Sequence, residues 1–259
     1  MSPPREPIFN IPAAVLLTAA ALILVHVVLA LLSEPEWNDA LLLFAFVPAR
    51  YHLSVLSVEP WWIGWGPAFW TFITYAFIHA NLVHLTFNLV WLLAFGTPVA
   101  RRFGWLRYGL FFIAAAIAGA AFHLVLHFDE TSPVIGASAA ISGMMAAAIR
   151  FVFQRGGPLS GFRGEEPASY RIPALPLSKI LRDPRVLIFL LMWFGLNFLF
   201  GEFSSSLPAG GENIAWEAHI GGFLAGLFGF AAFDPVKASA AAHEEEIQQT
   251  EAISEDDQS

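Results

Sequence analysis

The sequence predicts an all-α membrane protein with six transmembrane helices, and three observations carry that prediction. The 259-residue chain is 57% hydrophobic and 13% charged, with a mean hydropathy of +0.62, whereas a soluble domain carries about 25% charged residues. Six stretches are apolar over close to the ~20 residues that a bilayer-crossing helix needs. All but one of the 13 lysines and arginines, Arg50, then fall on a single side of the topology those stretches define, as the positive-inside rule requires.

The first span covers residues 13–32, AAVLLTAAALILVHVVLALL, which is too long for the apolar core of a signal peptide and is preceded only by Arg5. The second covers roughly 79–99, the third 105–127, the fourth 137–154, the fifth 185–201 and the sixth 214–233. Arg5, then Arg101, Arg102 and Arg107, then the cluster from Arg150 to Arg185, then Lys237 mark the cytoplasmic side, so both termini are predicted to be cytoplasmic. The loops at 33–78, 128–136 and 202–213 face outward. The chain thus divides into a cytoplasmic N-terminus at 1–12, a six-helix membrane domain at 13–235 and a tail at 236–259. Eight of the 21 acidic residues lie in 234–259, which makes the end of the chain a solvated acidic segment, predicted to be disordered.

The first outer loop is long and holds Trp37, Trp61, Trp62, Trp65 and Trp70, five of the nine tryptophans. Tryptophan favours the membrane–water interface, so this loop is expected to lie in the outer leaflet rather than to project into water. The Gly/Pro-rich, basic segment 156–184 reads as a connector. With no cysteine in the chain, disulfides, a thiolate nucleophile and cysteine metal ligands are all excluded.

Polar residues inside a membrane are costly and are functional candidates by default. Three groups qualify. HANLVHLTFN holds His79, His84 and Asn88, the last two four residues apart and therefore on one helix face. VIGASAAISG holds Ser138 and Ser142, again on one face. AWEAHIGGFLAG places His219 beside Gly222 and Gly226, a G-x-x-x-G that lets a neighbouring helix approach closely. Spans two, four and six all begin at the outer face. His219 and His84 each lie about five residues in, roughly 7.5 Å at 1.5 Å per residue, and Ser138 occupies the first turn of span four. Asn88 lies about one turn deeper, and the four can meet at one outer-leaflet depth.

Serine becomes a nucleophile when a base takes its proton, and histidine is the usual base. A serine opening a helix also has unbonded backbone N–H groups and the positive end of the helix dipole beside it, which suits a developing oxyanion, and His84 and Asn88 can add donors to that hole. Glu217 is two residues from His219, roughly opposite on the helix, so the expected constellation is a Ser–His dyad without a third member.

Taken together, H-x4-H-x3-N at His79, His84 and Asn88, G-x-S at Gly136–Ser138, and A-H-x-x-G-x-x-x-G from Ala218 to Gly226 make the chain resemble the rhomboid intramembrane serine proteases over about residues 10–235. The resemblance implies a six-helix rhomboid-like bundle with Ser138 as nucleophile, His219 as base, and His84 and Asn88 lining the oxyanion hole. His79 would brace the first outer loop, Gly136, Gly222 and Gly226 would support the site, and span five with the loop at 202–213 would gate substrate entry. It also implies transmembrane protein substrates, cleaved near the outer ends of their helices, and a bacterial inner membrane as the location. Four positions depart from the family's pattern: Ala139 stands where a glycine is usual, Thr71 follows Trp70 where an arginine is frequent, Ala100 replaces a glutamate, and Ser142 replaces a tyrosine.

Other uses of these residues are weaker. Ser138 alone reads more simply as a small residue at a helix contact. A zinc site on His79, His84 and His219 lacks an H-E-x-x-H pattern and a nearby carboxylate, so no metal and no cofactor are expected. His26, His123 and His127 are expected to make helix–helix or interfacial hydrogen bonds. A transporter reading lacks paired intramembrane acids and evident repeats. The main alternative is a catalytically inactive relative that binds transmembrane clients, for which Ala139 is the best support. Membrane lipid is an expected partner and nucleic acid is not.

Overall fold

The computed structural model describes residues 11–57, 64–159, 167–203 and 215–236. Eleven α-helices run through them: α1 (Ala13–Ala30), α2 (Glu34–Phe44), α3 (Leu53–Leu56), α4 (Trp65–Thr74), α5 (Leu82–Trp91), α6 (Thr97–Phe103), α7 (Trp105–Leu126), α8 (Ser138–Ile149), α9 (Leu177–Ile180), α10 (Pro184–Phe203) and α11 (Trp216–Phe233). Short 3-10 turns at Pro48–Tyr51, Tyr75–Phe77 and Pro167–Arg171 join some of them. The described residues form no β-sheet, only an isolated antiparallel bridge between Phe46 and Val134.

Among the described residues, three segments are long and apolar enough to cross a membrane: Ala13–Ala30, Leu82–Phe103 and Trp105–Leu126. The second is not one regular helix. The α5 helix passes through a π-helical turn at Leu92–Gly96 into α6, which carries the segment four residues past the predicted end at 99. Gly104, with φ of 76°, then reverses the chain into α7. Apolar side chains such as Leu17, Leu24, Leu126, Leu191 and Phe228 remain exposed on the outer surfaces of these helices, which is the expected surface of a protein whose solvent is lipid.

The α8 helix is shorter than the predicted 137–154. It has 12 residues, about 18 Å at 1.5 Å per residue. It ends as the amides of Arg150 and Phe151 shift to the carbonyls three residues back, Ala147 at 3.2 Å and Ala148 at 3.1 Å. Every residue from Ala139 to Ile149 is buried, so α8 is the central rod of the bundle. Its long neighbours α7 and α11 enclose it through small residues. A Cβ added at Gly222 or Gly226 would collide with the carbonyl oxygen of Ala139 or Gly143 respectively. These approaches run in the same chain direction, so α8 and α11 are parallel. Gly119 of α7 faces Ala139 and Ala218, and Ala115 faces Gly143, so α7 runs antiparallel to both. Small residues at these contacts bring the backbones close enough for dispersion and polar contacts to hold the three helices together.

At the end of the bundle remote from Ser138, Arg102 makes a bidentate ion pair with Asp234, at 2.9 and 2.8 Å. It also donates to the carbonyls of Tyr170 and Ile172. Arg150 donates to the carbonyls of Leu227 and Leu175, and Gln154 to that of Pro173. The segment expected to be a plain connector is therefore partly built into the fold, with its backbone carbonyls satisfying buried donors. Asp234, grouped with the acidic tail by composition, belongs to the core. Residues 237–259 of that tail lie outside the described residues.

The first outer loop folds into α2, a 3-10 turn, α3 and α4. Trp70 Nε1 donates to the Leu43 carbonyl at 2.6 Å and Thr74 Oγ1 to that of Phe44 at 2.7 Å, tying α4 to the end of α2. Arg50, the single basic residue predicted on this side, is buried and donates to the Leu42 carbonyl. Trp61 and Trp62 lie outside the described residues. The α10 helix is more loosely attached: Trp193 stacks on Phe223 with ring centroids 4.6 Å apart, and Phe189 meets Phe95 at 5.8 Å.

Candidate active site

Ser138 is the first residue of α8. Gly136 sets it up: its φ of 114° is unfavourable for any residue with a side chain, and a Cβ there would lie 2.7 Å from His84 Nε2. The Gly136 amide donates to the Tyr75 carbonyl at 3.0 Å, fixing the turn. The residue preceding the helix, Ala137, offers no side-chain cap, so it does not occupy the first-turn N–H groups that an anion would use.

His219 lies on the first turn of α11, and its Nε2 is 2.7 Å from Ser138 Oγ. The close packing of Gly222 on Ala139 fixes the register that brings serine and histidine to one level. On the other side of the ring, His219 Nδ1 is 2.5 Å from Asn197 Oδ1 of α10. The orientation of that amide follows from its second contact: Asn197 Nδ2 donates to the Trp193 carbonyl at 2.8 Å, which leaves Oδ1 as the atom facing the imidazole. Nδ1 of His219 therefore carries the proton, and Nε2 is free to accept one from the serine. A third member stands beside the expected dyad. The sequence held a signal for it, because Asn197 is an uncharged polar residue in an otherwise apolar span, but which helix face meets His219 depends on packing that no spacing rule supplies.

The α5 residues lie close by. Asn81 caps this helix by accepting from the His84 amide at 2.9 Å. The His84 ring borders Gly136, two residues before Ser138. Asn88 is buried and donates to the His84 carbonyl at 3.0 Å, while its Oδ1 has no partner among the described residues. It lies beneath His84 and makes no hydrogen bond with Ser138. His79 is completely buried, its ring packs edge-on against His84 at 5.1 Å, and its carbonyl is 3.2 Å from His26 Nδ1 of α1. Neither His79 ring nitrogen meets a hydrogen-bond partner among the described residues. Ser142 donates to the Ser138 carbonyl at 2.8 Å, within its own helix.

Glu217 is turned away from His219, as its position on the helix requires. Its Oε1 is 2.9 Å from His127 Nε2 at the end of α7. The Ala139 side chain also points away from the serine: its Cβ faces Gly119 of α7, where an added Cβ would come within 2.6 Å. The extra methyl is thus accommodated in the α7–α8 contact.

Residues 66–233 match the family model described as "Rhomboid domain". The chain belongs to the rhomboid family. It is an integral membrane protein, consistent with its apolar helices. Among curated relatives it is 28% identical over 158 residues to Rhomboid-related protein 3 of Homo sapiens, covering 61% of this chain and 35% of that one. It is 28% identical over 171 residues to Rhomboid protease GluP of Bacillus subtilis, covering 66% and 27%. It is 25% identical over 174 residues to Inactive rhomboid-related protein 2 of Caenorhabditis elegans, covering 67% and 43%. The matched stretch spans less than half the length of each of these relatives. Their names include both a protease and an inactive protein, so family membership leaves catalytic activity to be argued from the site.

Proposed function

We propose that this rhomboid is an intramembrane serine endopeptidase that hydrolyses a peptide bond in or near the outer end of a transmembrane substrate helix. The observation that carries the reading is the hydrogen-bonded line from Ser138 Oγ through His219 to Asn197 Oδ1, at 2.7 and 2.5 Å. A base held in the correct tautomer against a serine hydroxyl is the arrangement that nucleophilic catalysis requires.

Ser138 Oγ attacks the scissile carbonyl as its proton passes to His219 Nε2. Asn197 accepts the Nδ1–H throughout and holds the ring in place. The tetrahedral oxyanion develops beside the first-turn N–H groups of α8, with the His84 ring alongside and Asn88 behind it. His219 then returns the proton to the departing amine, leaving Ser138 acylated, and the same base activates a water that releases the new carboxyl end.

The length of α8 supports the intramembrane setting. Its ~18 Å is about three-fifths of a ~30 Å hydrocarbon core, so a helix anchored by Arg150 at the basic side starts well below the opposite surface. The basic residues support cytoplasmic termini, a membrane domain at 13–235 with an acidic tail at 236–259, and a site that opens to the outer side, as in a bacterial inner membrane. The loose attachment of α10 supports lateral entry of a substrate helix beside it.

The test is cleavage of a single-span reporter by the purified chain in liposomes. Loss of cleavage in both Ser138→Ala and His219→Ala supports the reading, and cleavage that survives Ser138→Ala overturns it. Labelling of Ser138 by a fluorophosphonate separates an active enzyme from an inactive client-binding relative.

A further inference from the structure

We propose that His123, His127 and Glu217 form a binding site for one divalent transition-metal ion of the zinc type, where the end of α7 meets the start of α11. Nothing in the proposed peptidase chemistry uses these residues, and the proposal does not depend on that chemistry.

The ligand atoms are already gathered. His123 and His127 lie one helical turn apart, with His127 capping α7, and their rings stack at 4.7 Å. His127 Nε2 is 2.9 Å from Glu217 Oε1, and His123 Nδ1 is 3.7 Å from Glu217 Oε2. One potential ligand atom from each of the three residues lies within 4.8 Å of the others. Ligands bonded at 2.0–2.1 Å around a tetrahedral ion are about 3.3–3.4 Å apart, so the ion requires shifts of about an ångström. Two imidazoles and a carboxylate suit zinc and its first-row neighbours.

The burial of His123 points to a ligand. Its side chain is 6% exposed, yet neither ring nitrogen makes a hydrogen bond among the described residues. An unpartnered buried polar atom is expensive. A hydrogen bond between His127 and Glu217 accounts for those two residues and leaves His123 with only the 3.7 Å approach of its Nδ1 to Glu217 Oε2, too long for a hydrogen bond, whereas an ion shared by all three satisfies it. The His127 side chain is 37% exposed, which gives the ion a path in and leaves a coordination position open to water. Because Glu217 is two residues before His219, the ion would tie the start of α11 to α7 beside the candidate base.

The experiment uses the full chain in detergent, freed of affinity tag and of metal. Zn2+ is titrated in competition with a chromophoric chelator, and Co2+ is added separately to read coordination from its visible spectrum. The expected result is one Zn2+ bound per chain, a four-coordinate Co2+ spectrum, and affinity reduced by more than about tenfold in His127→Gln and in Glu217→Gln, with His52→Gln unchanged. Zn2+ should also raise the melting temperature of the parent chain but not of His127→Gln. That comparison carries the test if Glu217→Gln fails to fold. Absence of saturable binding by the parent chain, or equal affinity in the folded variants, overturns the proposal.

Discussion

Asn197 Oδ1 lies 2.5 Å from His219 Nδ1, and it comes from α10, which meets the bundle mainly through α11. The residue that fixes the tautomer of the candidate base therefore sits on the element beside which a substrate helix would enter. Movement of α10 and orientation of the base are mechanically linked, because the bond stretches if the helix tilts away.

Replacing Asn197 should consequently act on turnover more than on binding. A correctly placed general base is worth roughly 10²–10⁴ in rate, and loss of its orienting partner should remove a fraction of that. In Asn197→Ala, kcat on a transmembrane reporter is expected to fall roughly tenfold to a hundredfold with KM little changed. Asn197→Asp should retain more activity than Asn197→Ala because it keeps an acceptor toward Nδ1–H, although it loses the donor to the Trp193 carbonyl. Equal kcat in Asn197→Ala and the parent chain would show that the bond has no part in turnover.

The glycine contacts make a second prediction, about stability. A Cβ at Gly222 or Gly226 meets the backbone of α8, which cannot rotate aside, whereas a Cβ at Gly229 or Gly109 meets nothing within 4 Å. Overpacking of this kind typically costs 1–3 kcal/mol. Gly222→Ala and Gly226→Ala should lower the melting temperature in detergent and, by separating α8 from α11, reduce cleavage. Gly229→Ala should leave both unchanged. A Gly222→Ala variant as stable as Gly229→Ala would mean that the two helices are not in the close contact described.

What the sequence disclosed and what it withheld follow from the range of the interactions. Ser138, His219, His84 and Gly136 were legible because each sits at a fixed distance from a helix start, and depth along a helix is counted in residues. The Asn197–His219 and Glu217–His127 contacts were not, because each depends on which faces of separate helices meet. The partners of the Arg102–Asp234 pair are 132 residues apart in sequence, and no local pattern links them. The end of α8 was overestimated because hydropathy continues through Phe151 and Val152 while the backbone has already turned. For Ala139 the sequence posed the question, and the answer lay on α7.

That answer is testable as a coupling. If the Ala139 methyl packs toward Gly119 rather than into the space beside Ser138, Ala139→Gly alone should change kcat only a few-fold. Gly119→Ala should destabilise, because its Cβ would lie 2.6 Å from that of Ala139 and 2.7 Å from the Ala218 carbonyl. Ala139→Gly combined with Gly119→Ala should recover part of the loss, since it relieves one of the two collisions. A double-mutant cycle on melting free energies should therefore give a non-zero coupling, in the range of about 0.5–3 kcal/mol found for residues in contact. Strictly additive effects would place the methyl elsewhere.

The Arg102–Asp234 pair sets the last expectation. The Arg102 side chain is fully buried and that of Asp234 is 7% exposed, and the guanidinium also lies over the Phe151 ring at 4.7 Å. Removing one partner leaves a buried charge uncompensated, which costs about 3–5 kcal/mol. Asp234→Asn and Arg102→Met should each lower thermal stability by an amount of that order. The double replacement should be less damaging than the sum, because neither charge is then stranded. Since Arg102 also holds the carbonyls of Tyr170 and Ile172, Arg102→Met should in addition expose the segment after α8 to proteolysis, whereas Asp234→Asn should not. Limited digestion followed by mass spectrometry distinguishes the two, and equal protection in both variants would show that the arginine acts through the ion pair alone.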